Sequence, residues 1–347
     1  MGERKHLKHQ IGLVGTGRWG ANIAKAFEET GRVHLRWLCD TNEEALRQIS
    51  GQRPHSHAAT SFEQVLNDPL VEAVAISTPT TTHYELACSA LAAGKHVFLE
   101  KPLTILSADA IDLIRRSKAS GLILMVGHVF EYNSAIIEVK RMIETGELGE
   151  IIYMNFERTN LGPVRTDVNV LWDLAAHDIS IMCAFLEAAP INVTASGLCH
   201  LNPGIEDVAF ATFSFANGTR AHMHVSWLNP RKIRQITVVG SKRMLIWDDL
   251  DVKAPIRLFD KGVDPNTLGE ESSGFLSQEI QLFDNGISIP SVEINQPLQA
   301  ECTHFIDCLE NNSTPRSDGE GGLRVVRILE ATMDSLLMGG TLTPVFT

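Results

Sequence analysis

Residues 10–20 read Gln10-Ile11-Gly12-Leu13-Val14-Gly15-Thr16-Gly17-Arg18-Trp19-Gly20, an apolar run that breaks into G-x-G-x-x-G. Gly15 allows a tight turn out of a strand. Gly17 lets backbone approach a phosphate, and Gly20 lets the following helix pack close to the sheet. The free N–H groups at that helix start face an anion. The context supports this reading. Ile11 to Val14 is a buried strand, Ile23, Ala24, Ala26 and Phe27 recur at helical spacing, and Gly31 closes the helix. A second apolar run, Val33 to Cys39, ends at Asp40, where a carboxylate meets the ribose diol of a dinucleotide. Asp40 also repels a ribose phosphate, and Thr41-Asn42 offers no arginine to pair with one, so NAD is the expected cofactor. The expected cradle is Gly15, Thr16, Gly17, Arg18, Trp19 and Gly20, with Asp40 and Thr41 at the ribose.

With 347 residues, the chain is long enough for about two domains. Its 44% hydrophobic and 21% charged residues describe an ordinary globular protein. A formal net charge of −12 without a basic tract argues against nucleic acid or an anionic membrane as partner. Met1 to His9 lacks the apolar core of a signal peptide, and no apolar run reaches a membrane span. Cys39, Cys88, Cys183, Cys199, Cys302 and Cys308 are scattered without a C-x-x-C. They suit buried thiols in a reducing, cytoplasmic setting, and no metal site is expected.

Beyond Asp40, strands and capped helices alternate. Helices are expected over 41–51, 61–67, 81–93 and 107–120, and strands over 71–77, 96–100 and 122–127. Apolar strands between helices indicate a parallel sheet covered on both faces. Ligands bind at the carboxyl ends of such strands, which marks Gly15–Gly20, Ser77-Thr78-Pro79 and Glu100-Lys101-Pro102. The second half differs. After a helix over 134–145 come a long strand over 150–160 and two hairpins, one of them around Asn217-Gly218 with the I′ signature. Two helices end the chain, over 297–309 and 321–338. Residues 261–273 are polar and turn-rich, an expected exposed loop. Strand Ala209–Phe215 is apolar at both parities, which calls for a second subunit or a helix on its other face; a homo-oligomer through this sheet is expected.

Two signals carry chemistry. A lysine at a strand's carboxyl end, Lys101, can donate a hydrogen bond to a reacting oxygen. In Trp172-Asp173-Leu174-Ala175-Ala176-His177-Asp178, the acid and the histidine lie four apart on an expected helix and leave one face. A histidine near a helix start is favoured in its neutral form, as a general base needs.

The glycine fingerprint, Ser77-Thr78-Pro79 with His83, Gly94-Lys95-His96-Val97 with Glu100-Lys101-Pro102, and the Asp173…His177 pair together resemble the glucose-fructose oxidoreductase / inositol dehydrogenase / MocA family over essentially the whole chain. The resemblance implies an α/β plus α+β architecture. A Rossmann domain over 1–130 would precede an α+β domain over 131–347 with a large, mostly antiparallel open sheet, and the last helix could return to the first domain. It implies an active site between the domains with Lys101, Asp173 and His177 as catalytic residues. The histidine would take the hydroxyl proton while hydride leaves the same carbon for NAD, with the lysine bonded to the same oxygen. Ser77, Thr78, Pro79, His83, Glu100 and His128 would join the cofactor site.

The stretch Arg158 to Asn169 reads as a loop able to clamp a polyhydroxylated ligand, with Asn160, Arg165 and Asn169 as contacts beside Trp172. It is similar to the loop of members that oxidise nucleotide-linked sugars such as UDP-N-acetylglucosamine at C3. The expected activity is therefore NAD-dependent oxidation of a secondary ring hydroxyl of a sugar or sugar nucleotide. The alternatives are an inositol or free-sugar dehydrogenase, or an NAD-binding regulator without turnover. His128 and Tyr132 are candidates for the nicotinamide pocket. His222 and His224 alternate on one strand and read as a solvated or interface face of a sheet rather than as a metal site.

Overall fold

A computed structural model describes residues 8–263 and 282–346. The chain forms two compact units. The first is the chain up to Tyr132 together with Asn295–Glu330, and the second is Asn133–Ile294 together with Ala331–Thr347. The expected single break near residue 130 is therefore only the first of three crossings. Residues 295–330 return to complete the first unit.

In the first unit, β1 (His9–Val14), β2 (Val33–Cys39), β3 (His57–Ala59), β4 (Ala73–Ile76), β5 (His96–Glu100) and β6 (Leu124–Gly127) form one sheet in the order β3-β2-β1-β4-β5-β6. Every pairing is parallel. The order reverses between β1 and β4, which opens a crevice at their carboxyl ends. The three-residue edge strand β3 has no sequence signal of its own. Its His57 and Ala58 are exposed, and only backbone pairing to Trp37–Cys39 defines it. Helix α1 (Arg18–Glu29) buries Ile23, Ala24, Ala26 and Phe27, the spacing read above. Asn42, rather than Thr41, caps α2 (Glu43–Ser50), accepting from the N–H groups of Glu44 and Ala45. Helix α8 (Pro297–Asn311) starts with Pro297 in the first turn, where the missing N–H costs nothing. Phe305 from α8 packs edge-on against Phe27 and Phe98, with centroids 6.1 and 5.7 Å away. This aromatic contact fastens the returning segment to the sheet's core.

The second unit is built on β7 (Ile151–Leu161), β8 (Asn192–Leu198), β9 (Val208–Ser214), β10 (Arg220–Ser226), β11 (Leu228–Gly240), β12 (Met244–Asp248), β13 (Ile256–Val263), β14 (Leu282–Ser288) and β15 (Thr343–Pro344). Among the described residues these form one nine-stranded sheet, β14-β13-β12-β11-β7-β10-β9-β8-β15. Only β7 and β10 pair in parallel. Burial alternates along β7: Met154, Phe156 and Arg158 face inward, and Tyr153 outward. The Asn217-Gly218 turn is not of the I′ type. Only Gly218 has positive φ (92°), and its N–H bonds to Phe215 O, so a type I turn ends in a glycine bulge. The expected loop over 261–273 begins inside β13, since Lys261 pairs with Asp284. Residues 264–273 lie outside the described residues.

The expected loop over Arg158–Asn169 is also shorter than read, because Arg158 to Leu161 belong to β7. Arg158 faces the core and meets Asp178 of α7 (Ala176–Leu186) through a double fork, Nη2 at 2.6 Å and Nε at 2.9 Å. Both side chains are buried, 4% and 3% exposed. A polar pattern reads as a loop when, as here, its charge is paired inside the fold. Breaking a buried pair leaves an uncompensated charge, so Arg158→Ala should lower unfolding free energy by about 3–5 kcal/mol in a urea titration. Replacing both partners, Arg158→Met with Asp178→Leu, should recover most of the loss.

Candidate active site

The two units each carry part of the expected chemistry.

In the first unit the chain leaves β1 through Gly15 at φ +89°, a conformation that favours glycine. A Cβ there would lie 2.6 Å from Ser77 O at the end of β4, and one on Gly20 would lie 2.0 Å from Gly15 O. Ser77 Oγ donates to Gly15 O at 2.8 Å and braces the turn. A Cβ on Gly17 would meet nothing within 4 Å, and no side chain caps the start of α1. This leaves open space beside free N–H groups, as a pyrophosphate requires. Asp40 follows β2 directly, with its carboxylate on the turn. Its Oδ2 accepts from Thr16 N (2.6 Å) and Thr16 Oγ1 (3.0 Å), and its Oδ1 from Asn42 N (2.8 Å). The residues fit a dinucleotide with an unphosphorylated ribose.

The other strand ends are tied together. His83 sits with one ring nitrogen 2.9 Å from Pro102 O and the other 3.0 Å from Thr78 O. It links the loops after β4 and β5, and its own contact with a cofactor is not needed for that. Thr78 Oγ1 pairs with Thr82 Oγ1 at 2.7 Å. Lys101 follows β5, half-buried, and its peptide bond to Pro102 is cis. Tyr132 is buried with its hydroxyl on Ser317 Oγ at 3.0 Å, a packing role within the unit.

Three titratable groups are buried near these ends. Glu100 accepts from Trp19 Nε1 and from Lys101 N, and burial pushes its pKa up to about 7. His128 follows β6 with neither ring nitrogen hydrogen-bonded within the described residues, and burial pushes it down to about 3. Its imidazole is neutral at any working pH, and both ring nitrogens are shielded from solvent. Glu301, on α8, is fully buried, and neither carboxyl oxygen has a partner within the described residues. Burial raises its pKa well above the usual glutamate range, with Glu100 and Glu131 adding to the rise. Sequence reading gave Glu301 no part in the site. The one signal was an acid among Cys302, Phe305 and Ile306, all buried on the same helix.

In the second unit a π-wound turn, Leu171–Ala175, leads directly into α7. Asn169 precedes it. Its Oδ1 accepts from Trp172 N (3.2 Å), and its Nδ2 donates to Glu206 (2.6 Å). Asn169 thus holds the start of the helix, while Trp172 is half-buried beyond it. The helical path begins before Leu171, so His177 stands well inside it, and the helix-start argument for its neutral form does not apply. The wider winding also changes which side chains share a face. Asp173 is held by two donors: Trp227 Nε1 at 3.1 Å on Oδ2, and Arg165 Nη1 at 3.3 Å on Oδ1. Trp227, 1% exposed, was not singled out in the sequence. Arg165 also grips Asp167 with two bonds. Its charge is met by two carboxylates of its own chain. Asn160, at the end of β7, lays its amide over Gly162.

The family models divide the chain in the same way. The model described as "Oxidoreductase family, NAD-binding Rossmann fold" matches residues 9–128, and the GFO/IDH/MocA C-terminal domain matches residues 136–246. The chain belongs to the GFO/IDH/MocA oxidoreductase family. It is 27% identical over 325 residues to the scyllo-inositol 2-dehydrogenase (NAD(+)) of Bacillus subtilis (strain 168), covering 89% of each chain. It is 26% identical over 318 residues to the UDP-N-acetylglucosamine 3-dehydrogenase of Acidithiobacillus ferrooxidans, covering 91% of this chain and 94% of that protein. The WlbA dehydrogenase from Bordetella pertussis, solved in complex with NADH and UDP-GlcNAcA, shares the fold with a TM-score of 0.79 at 22% identity, over 98% of this chain and 99% of that one. This family member is an oxidoreductase, and its cofactor is NAD, as Asp40 leads one to expect.

The buried acids carry a stability signature. Glu301 and Glu100 hold their protons in the folded state where the unfolded chain releases them. Their contribution is complete below the ordinary glutamate pKa and is lost as pH rises. Glu301→Gln should therefore flatten the fall in melting temperature between about pH 5 and 7, a slope of up to about 1.4 kcal/mol per pH unit. Parallel wild-type and variant curves would show that Glu301 is charged in the fold.

Proposed function

We propose that this protein oxidises a secondary ring hydroxyl of a sugar or nucleotide-linked sugar to the ketone, with Lys101, Asp173 and His177 as its catalytic residues. The observation that carries this reading is the setting of Asp173. Its carboxylate is oriented by a buried indole and a guanidinium, four residues before a half-buried histidine. The names of two relatives of similar length point the same way, since they are dehydrogenases at position 2 of scyllo-inositol and position 3 of UDP-N-acetylglucosamine.

Bound NAD supplies the hydride acceptor. The chain's own residues handle the proton. His177 accepts it from the substrate hydroxyl as the C–H bond breaks, and Lys101 donates a hydrogen bond to the oxygen that becomes the carbonyl. Asp173 fixes the substrate or the imidazole. Holding the dinucleotide falls to the backbone of the Gly15–Gly20 turn, Asp40 and Ser77. Trp172 and Asn160 are the proposed sugar contacts. Arg165 is engaged with Asp167 and Asp173, which favours a role in setting Asp173 over one in gripping a phosphate. That assignment supports ring hydroxyls as the recognised feature.

A second copy is the proposed partner, seated on the outer sheet face. Tyr153 (45% exposed) and Phe210 (39%) stand on that face beside His222 and His224, and His224 stacks on Phe210 at 4.5 Å. Phe210→Asp should convert an oligomer to a monomer in light scattering at micromolar concentration. A wild-type monomer would overturn this assembly.

The activity is tested by NADH formation against inositols, free sugars and UDP-sugars, with identification of the keto product. Lys101→Ala and His177→Ala should each lower kcat by at least about a hundredfold, with NAD affinity nearly unchanged. Full turnover in either variant would remove that residue from the reaction.

A further inference from the structure

Trp19 lies in the first turn of α1 and is 42% exposed, so core packing does not explain its bulk. Among the described residues its directed contact is polar. The indole Nε1–H donates to Glu100 Oε1 at 2.5 Å. Glu100, itself 6% exposed, accepts with Oε2 from the backbone N–H of Lys101 at 3.1 Å. The third wall is Gly127 at the end of β6. A Cβ there would lie 2.9 Å from Oε1 and 3.1 Å from Oε2. The carboxylate therefore fills the space that any other residue at 127 would occupy, and it has one seat, between the indole, the glycine and the Lys101 amide.

We propose that Trp19 is a positioning residue for Lys101: its indole N–H seats the Glu100 carboxylate, and that carboxylate sets the backbone from which the lysine side chain departs. The proposal rests on the catalytic reading of Lys101. The two N–H donors meet different oxygens of the Glu100 carboxyl group, which fixes both its position and its orientation at the strand end. Trp19 belongs to the same glycine turn that faces the pyrophosphate, so one short element both cradles the cofactor and places the lysine. An ammonium moved by a fraction of an ångström bonds poorly to a developing oxyanion, while ground-state binding of NAD hardly changes.

The test is steady-state kinetics of the full-length enzyme with the best substrate of the panel, together with NADH binding followed by fluorescence. Trp19→Phe keeps the ring and loses the donor. It should lower kcat about tenfold with the NADH dissociation constant within about twofold of wild type. Glu100→Gln, near-isosteric, keeps an acceptor for the indole and loses the one for the Lys101 amide. It should also lower kcat, and the double variant should be no slower than Glu100→Gln alone, because the indole acts through the carboxylate. In a Lys101→Ala background, Trp19→Phe should change nothing further. If Lys101→Ala is inactive but Trp19→Phe turns over at the wild-type rate, or if the two substitutions multiply, the positioning role is wrong and the catalytic reading stands. If Lys101→Ala is fully active, the catalytic reading itself fails.

Discussion

The first unit depends on a close approach of two backbones. Where β1 ends, the chain passes so near the end of β4 that a single methyl group at residue 15 would overlap the Ser77 carbonyl. Gly20 has the same constraint against Gly15 itself. With side chains absent at both places, the start of α1 comes down onto the sheet with its N–H groups uncapped, and the carboxyl ends of β1, β2, β4 and β5 gather around it. Asp40, Ser77 and Glu100 lie at these ends and each meets the turn. They brace it in return: Asp40 through Thr16, Ser77 through Gly15, and Glu100 through Trp19.

The second unit solves a different problem. An eleven-residue strand, β7, sits in the middle of a wide sheet and carries a buried arginine. Arg158 is tolerated because Asp178 meets it with a double fork, and that pair fastens α7 to the sheet one residue after His177. A second buried polar link, Trp227 to Asp173, fixes the π-wound turn just upstream. The acid and the histidine of the proposed reaction are thus flanked on both sides by links to buried groups of the unit, Trp227 and the Arg158–Asp178 pair. Burial of charge is costly unless paired, so each link also makes the local geometry hard to vary.

Burial has the opposite consequence for Glu301 and His128. Neither finds a hydrogen-bond partner within the described residues, and each responds by staying neutral, the acid protonated and the imidazole unprotonated.

By itself the sequence determined the α/β alternation, the glycine turn and the expectation of NAD through Asp40, and it singled out Lys101 and the Asp173–His177 pair as the candidate reactive groups. These are local signals, since strand periodicity, caps and glycine spacing act within a few residues. Tertiary structure decided what local pattern cannot encode. Residues 295–330 return to the first unit because Phe305 completes an aromatic cluster with Phe27 and Phe98, a contact between residues nearly three hundred positions apart. Arg158 is a strand residue in the core because Asp178 waits on another element. Arg165 turns to Asp167 and Asp173 because both carboxylates lie within its reach. Charged side chains look alike in a sequence whether they face water, a ligand or each other. Which of these they face is set by partners that only the folded chain brings near.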